Sequence, residues 1–172
     1  MDYVLKPSIS TIFKQFRKNI HMLAYVKQHP NLFKDLIEAS LDTKHPKAWR
    51  AAMLLGNAMK KNDKRVVPYI TTFIECLPLL SHDGHQRQVL IILDKLSLNE
   101  NQNGCLFDHC LSLWEQVNKI PSTRMRSFQA MVKMTSQYPE LKDELKLFTT
   151  NYYTQTLSEG IKISFTRMVS KL

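Results

Sequence analysis

The sequence predicts an all-α fold: a solenoid of about four stacked helix pairs behind an N-terminal capping helix. Three observations carry that expectation. The stretch Asp42–Gly56 returns in altered form three more times. Apolar residues recur at three-four spacing along most of the chain. Only four glycines occur in 172 residues, which argues against a β-rich or disordered polypeptide. A stack of this size uses nearly the whole length, so residues 1–172 are expected to form one domain, with 1–28 as cap and 29–172 as repeats.

In the cap, Ile9, Ile12, Phe13, Phe16, Ile20, Leu23 and Ala24 repeat at helical spacing opposite Lys14, Arg17, Lys18 and His21, with Ser8 or Ser10 as N-cap. A membrane surface or a partner groove would accept such a basic amphipathic helix. Covering the open first repeat of a stack is the more economical role. His29-Pro30-Asn31 then breaks the chain, and Leu32, Leu36, Ile37 and Leu41 give helix 31–41 its apolar face. Asp42 and Thr43 are turn residues. Pro46 suits a first helical turn, where its missing N–H has no intrahelical partner, and Ala48–Met59 is rich in strong helix formers. Ala52, Leu55 and Met59 share one face, whereas Lys47, Arg50, Asn57 and Lys61 share another. Lys60–Arg65 follows as a basic connector, read as a solvated loop, with phosphate clamping as the sharper alternative.

Val66–Leu80 carries Pro68 near its start and Pro78 near its end, places a helix tolerates. Ser81–His85 turns the chain; its two histidines and Asp83 invite a metal, but no further ligand cluster accompanies them, and Asp83 is read as the next helix's cap. Val89–Leu98 is the most apolar segment and suits a central repeat. Asn99–Gly104 reads as a loop by composition. Leu106, Phe107, Cys110, Leu111 and Trp114 then form a stripe on helix 104–117, with Trp114 in the core. Pro121-Ser122-Thr123 opens the next helix and Tyr138-Pro139 closes it. Leu141, Leu145 and Phe148 build helix 140–153, with Tyr152 and Tyr153 packing near its end, and Ser158-Glu159-Gly160 leads into the last helix.

Setting Arg50 over Arg87, Arg126 and Ile163 aligns four segments at spacings of 37, 39 and 37 residues. In that register Ala52 matches Val89, Phe128 and Phe165, and Leu55 matches Ile92, Met131 and Met168. Apolar character persists while the residues change, as a structural repeat requires. Asp42, Arg50, Ala51, Ala52, Leu55 and Gly56 together resemble the second-helix signature of HEAT repeats of the armadillo type: an acidic turn residue, Arg-x-Ala, then Leu-Gly. The second copy keeps Asp83, Arg87 and Val89; the third keeps Arg126 and Phe128 without the acidic turn residue; the fourth has Ile163 in place of Arg. The period falls just short of the roughly 40 to 47 residues usual for such repeats, and Trp49 lacks the Trp-x-x-Leu-Gly spacing of the tetratricopeptide alternative.

Charge narrows the partner. The chain carries +9, and the excess is uneven: residues 1–65 hold 13 Lys and Arg against 5 Asp and Glu, residues 66–172 hold 11 against 10. Such a surface attracts acidic proteins or nucleic acid. The resemblance implies a right-handed α-solenoid whose second helices line a concave side, which would carry Lys47, Arg50, Lys61, Arg87, Arg126, Lys133 and Arg167 as a basic strip. Arg50 with Asp42, and Arg87 with Asp83, offer a structural ladder as the competing role. Cys76, Cys105 and Cys110 show no Cys-x-x-Cys pair and are expected as buried free thiols, in keeping with a cytoplasmic location. No basic-then-apolar leader opens the sequence, and no apolar run approaches a membrane span. No catalytic, cofactor or metal motif is present in the sequence. The expected function is therefore a protein-interaction module for an acidic protein or peptide. A nucleic-acid-binding domain, similar in architecture to HEAT-like DNA alkylation-repair proteins, is the alternative, and an uncovered last repeat leaves room for a dimer contact.

Overall fold

Apolar residues at helical spacing, cut by prolines and side-chain-capped turns, give eleven α-helices and no strand among the described residues. The computed structural model describes residues 7–16, 18–170 and 172. Arg17, expected on the basic face of the cap, and the side chain of Ser8 lie outside the described residues. The helices are grouped in two compact units, one ending at Leu98 and one running from Asn99 to Leu172.

The first unit holds α1 (Pro7–Gln15), α2 (Asn19–Gln28), α3 (Leu32–Leu41), α4 (Ala48–Ala58), α5 (Ile70–Cys76) and α6 (Asp83–Asp94). Its centre is α4, packed against α2, α3 and α6. Ala51, Ala52, Leu54 and Leu55 are all buried, and the two alanines let neighbouring helices approach closely. Because Leu55 has no exposed surface, Leu55→Ala is expected to lower stability by roughly 2 to 5 kcal/mol, read as a lower urea midpoint at unchanged slope.

The cap departs from expectation. It is two helices rather than one, and Ile20 stands 70% exposed. In a single straight helix Met22 and Val26 would lie roughly a third of a turn around from Ile9, Ile12 and Phe13. The break before α2 lets both sets bury. The segment 66–80 is also segmented: short 3-10 turns at Val67–Tyr69 and Leu77–Leu79, each containing a proline, flank α5. At the start of α6 the N-cap is His82, not Asp83, which sits in the first turn. His82 Nδ1 accepts the His85 backbone N–H at 3.2 Å. A Cβ at Gly84 would come within 2.9 Å of His82 Cε1, so glycine leaves the imidazole room to fold back. His85 is buried, with Nε2 donating to the Ser40 carbonyl at 2.8 Å, and burial pulls its pKa below the usual value.

The second unit holds α7 (Glu100–Glu115), α8 (Pro121–Met134), α9 (Leu141–Leu147), α10 (Asn151–Thr154) and α11 (Glu159–Val169), with α8 packed on α7, α9 and α11. The expected loop at 99–104 is helix. Asn99 Oδ1 accepts the Gln102 N–H at 2.9 Å while Gln102 Oε1 accepts the Asn99 N–H at 3.1 Å, a reciprocal cap that starts α7 four residues early. Segment 140–153 splits instead of continuing. The Phe148 carbonyl accepts from Trp114 Nε1 at 2.9 Å, and the Tyr153 carbonyl accepts from Arg124 Nη2 at 2.7 Å, so side chains of α7 and α8 anchor the C-cap of α9 and the short α10 that follows the break.

The repeat register is carried by burial. Ala52, Val89, Phe128 and Phe165 are all buried, as are Leu55, Ile92 and Met131; Met168 is half-buried and Ile163 exposed. Of the cysteines, Cys76 and Cys110 are buried and Cys105 is exposed on α7, against the expectation of three buried thiols. Burial pushes the Cys76 thiol up to about 12 and Cys110 higher still, which leaves both protonated and unreactive at neutral pH.

Candidate functional site

The basic connector between α4 and α5 is an ordered turn. Asn62 adopts a left-handed backbone conformation at φ 50°, which its short polar side chain tolerates; its N–H donates to the Lys95 carbonyl at 2.8 Å and its Oδ1 accepts the Ser97 N–H at 2.6 Å. Both bonds hold the turn to the end of α6. Asp63 is buried beneath it, accepting backbone N–H groups of Lys60 and Arg65 at 3.2 Å each. Arg65 closes on the same carboxylate through Nε at 2.9 Å and Nη2 at 2.7 Å, and its guanidinium lies 3.4 Å from the centre of the Phe33 ring.

These bonds hold Asp63 well below the usual carboxylate range, at about 2 against an ordinary 3.8; the Arg65 side-chain bond is the largest cause. Because the folded value is the lower one, the stabilisation is fully present above pH 3.8 and is lost as pH falls through about 2. Arg65 is half in water, so the effect is about 1 to 2 kcal/mol. Urea midpoints measured down this range should fall more for the wild type than for Asp63→Asn, which is already weakened at neutral pH.

Asp63 and Arg65 neutralise one another, which leaves the lysines of the turn to set the local charge. An open concavity of about 790 Å³ lies here. Lys60, Lys61 and Lys64 reach it from the turn and Lys27 from the last turn of α2, all exposed. Among the described residues none of these four side chains enters an ion pair. Pro30 and Ala58 add apolar surface, backed by buried Val26 and Phe33. A smaller concavity in the second unit, about 320 Å³, has the opposite character: Glu100, Asp108, Glu140 and Glu144 ring Phe107, Met134 and Tyr138.

The residues of the expected strip are distributed over both units. In the first, Lys47 is exposed just before α4, Lys61 is exposed in the concavity, and Arg50 and Arg87 are half-buried on α4 and α6. In the second, Arg126 is half-buried on α8, and Lys133 and Arg167 are exposed in the last turns of α8 and α11. Of the seven, Lys61 alone lines the basic concavity. Arg50 takes a structural place different from the expected ladder: its guanidinium lies 4.8 Å from the Phe13 ring centre and 3.8 Å from Met22 Sδ. Asp42 caps its own turn, accepting the N–H groups of Lys44 and His45 at 2.9 and 3.0 Å. Trp49 stacks on His82, centroids 5.9 Å apart.

Helices paired in sequence, a buried register that returns every 37 to 39 residues, and charged residues displayed on turns and outer faces define a helical-repeat scaffold. A family model for the HEAT repeat domain matches residues 12–172, and the chain belongs to that family. No curated protein and no solved structure matches it. No helix among the described residues is long and apolar enough to cross a membrane.

Proposed function

We propose that this HEAT-repeat chain is an interaction module that receives an acidic protein or peptide on its basic surfaces. The observation that carries this reading is the four-lysine concavity of the first unit: among the described residues that line it Asp63 is the one carboxylate, and it is already taken by Arg65. The strip residues Lys47, Arg50, Lys61, Arg87, Arg126, Lys133 and Arg167 are assigned to partner contact in the same proposal. The family match runs through both compact units, which supports treating residues 1–172 as one domain. The reading involves no catalytic residue and no cofactor, and a reducing compartment such as the cytoplasm suits three unpaired thiols.

Nucleic acid is the second reading, favoured by the net charge of +9. It is weaker because base stacking wants free aromatic faces, and Phe33, the one aromatic ring among the described residues lining the concavity, is buried under Arg65. Fluorescence anisotropy against a labelled acidic peptide, duplex DNA, single-stranded DNA and a structured RNA, each at low and near-physiological salt, separates the two. Acidic-peptide binding that persists at the higher salt supports the first; a selective nucleic-acid complex with a steep logarithmic salt slope would replace it. In the same assay Lys47→Glu with Lys61→Glu should weaken the anionic partner about tenfold while the far-ultraviolet helical signal stays unchanged. Unfolding of that double variant would instead make these lysines structural.

A further inference from the structure

We infer that the concavity framed by the Lys60–Arg65 turn is the seat of one acidic peptide segment that carries an apolar side chain; this rests on the acidic-partner reading above. The argument begins with rigidity. The turn is fixed by Asn62 to the end of α6 and by Asp63 to its own backbone, so Lys60, Lys61 and Lys64 are presented from a backbone already ordered. Binding therefore requires ordering of lysine side chains only, not of the loop.

Charge identifies the ligand's polar part. Four ammonium groups without carboxylate partners among the described residues repel one another, and a ligand bearing several carboxylates relieves that repulsion as it binds. Lys27 comes from α2 and the other three from the turn, so the cations flank the concavity from two elements. An extended acidic segment can thereby meet cations on either side of one central residue.

The apolar part follows from the floor. Pro30 is exposed and Ala58 half-exposed, and neither offers a hydrogen-bonding side chain. An aliphatic side chain fits that surface, whereas a nucleobase would lack a ring on which to stack. Arg65 is already committed elsewhere: Phe33 takes one face of its guanidinium, and Asp63 engages its Nε and Nη2 donors. The concavity thus selects alternating acidic and apolar chemistry over a sugar-phosphate chain.

The test uses the full chain and a fluorescein-labelled peptide with Asp and Glu on both sides of one Leu, beside a counterpart in which Asn and Gln replace the acids. The acidic peptide is expected to bind and the amide peptide to bind at least about tenfold more weakly. Lys27→Glu/Lys60→Glu/Lys64→Glu should weaken the acidic peptide about tenfold or more, with Lys14→Glu/Lys146→Glu, at exposed lysines outside both the concavity and the strip, changing it less than about twofold. Urea midpoints check that both variants fold. Should the charge-reversed triple variant be unstable, the neutral Lys27→Gln/Lys60→Gln/Lys64→Gln must show the loss. Binding kept by the triple variant overturns the site and leaves the acidic-partner reading standing. Wild-type protein that ignores both peptides overturns site and reading together. Duplex DNA that outcompetes the acidic peptide for the same three lysines overturns the proposed occupant.

Discussion

Arg124→Ala is expected to destabilise the second unit by about 3 to 5 kcal/mol, because it removes a fully buried cation that joins three segments. Nε donates to the Trp114 carbonyl at 2.9 Å, Nη1 to Thr156 Oγ1 at 2.9 Å, and Nη2 to the Tyr153 carbonyl at 2.7 Å. The guanidinium carbon also lies 4.5 Å from the centre of the Trp114 ring. Burial lowers the pKa of the group, but an arginine still holds its proton at any pH at which the chain folds. Truncation to alanine leaves two carbonyls and a hydroxyl without their donor and opens a void beneath Trp114. Lysine cannot repair this, since one ammonium does not reproduce a planar fork with donors aimed in three directions; Arg124→Lys should recover less than half of the loss. In a Trp49→Phe background, Trp114 emission reports the unit that contains Arg124. Its urea midpoint should fall steeply in Arg124→Ala, and an unchanged midpoint would mean that solvent or a rearranged loop replaces all three bonds.

Nothing in the sequence marks Arg124. It stands two residues before Arg126, the position that the repeat register selects, and the two differ only in which way the helix turns them: Arg124 inward, Arg126 half to solvent. The apolar register, by contrast, was legible, because hydrophobic periodicity is imposed by burial itself and survives the replacement of Ala52 by Val89, Phe128 and Phe165. Helix ends were harder. The composition of Asn99–Gly104 says loop, yet Asn99 and Gln102 satisfy each other's backbone groups, and the Asn-x-x-Gln spacing was the signal that composition hid. At the N-terminus a single apolar stripe concealed two helices with different faces.

The candidate site was legible in parts. Lys60–Lys64 stood out as a charge run, but its order depends on Asn62 reaching Lys95 and Ser97, more than thirty residues along the chain. Lys27 joins the concavity only through the packing that brings the end of α2 beside the turn. Arg50, which the sequence places on the strip, also lies against Phe13 and Met22, packing contacts between α4 and the two cap helices that the repeat register does not reveal.

Phe128→Ala should approach the cost of the arginine change, at about 3 to 5 kcal/mol, through a different mechanism. Phe128 has no exposed surface and belongs to a three-ring cluster in which its centroid is 4.7 Å from Trp114 and 4.8 Å from Phe165, while Trp114 and Phe165 stack at 5.3 Å. Trp114 comes from α7, Phe128 from α8 and Phe165 from α11, so one cluster holds three helices of the unit together. Neither remaining ring can move into the vacated volume freely: Trp114 is pinned by its Nε1 bond to the Phe148 carbonyl and by Arg124 across its face. The cavity should therefore stay largely open, which places the loss toward the upper part of the range. Phe128→Leu, which keeps most of the volume and loses the ring contacts, should cost about 1 to 2 kcal/mol. Because Arg124 and Phe128 both act on Trp114, the double variant is expected to lose less than the two single losses combined, and a double-mutant cycle on the Trp114-reported transition measures that coupling. Strict additivity would mean that the arginine bonds and the ring cluster support the second unit independently.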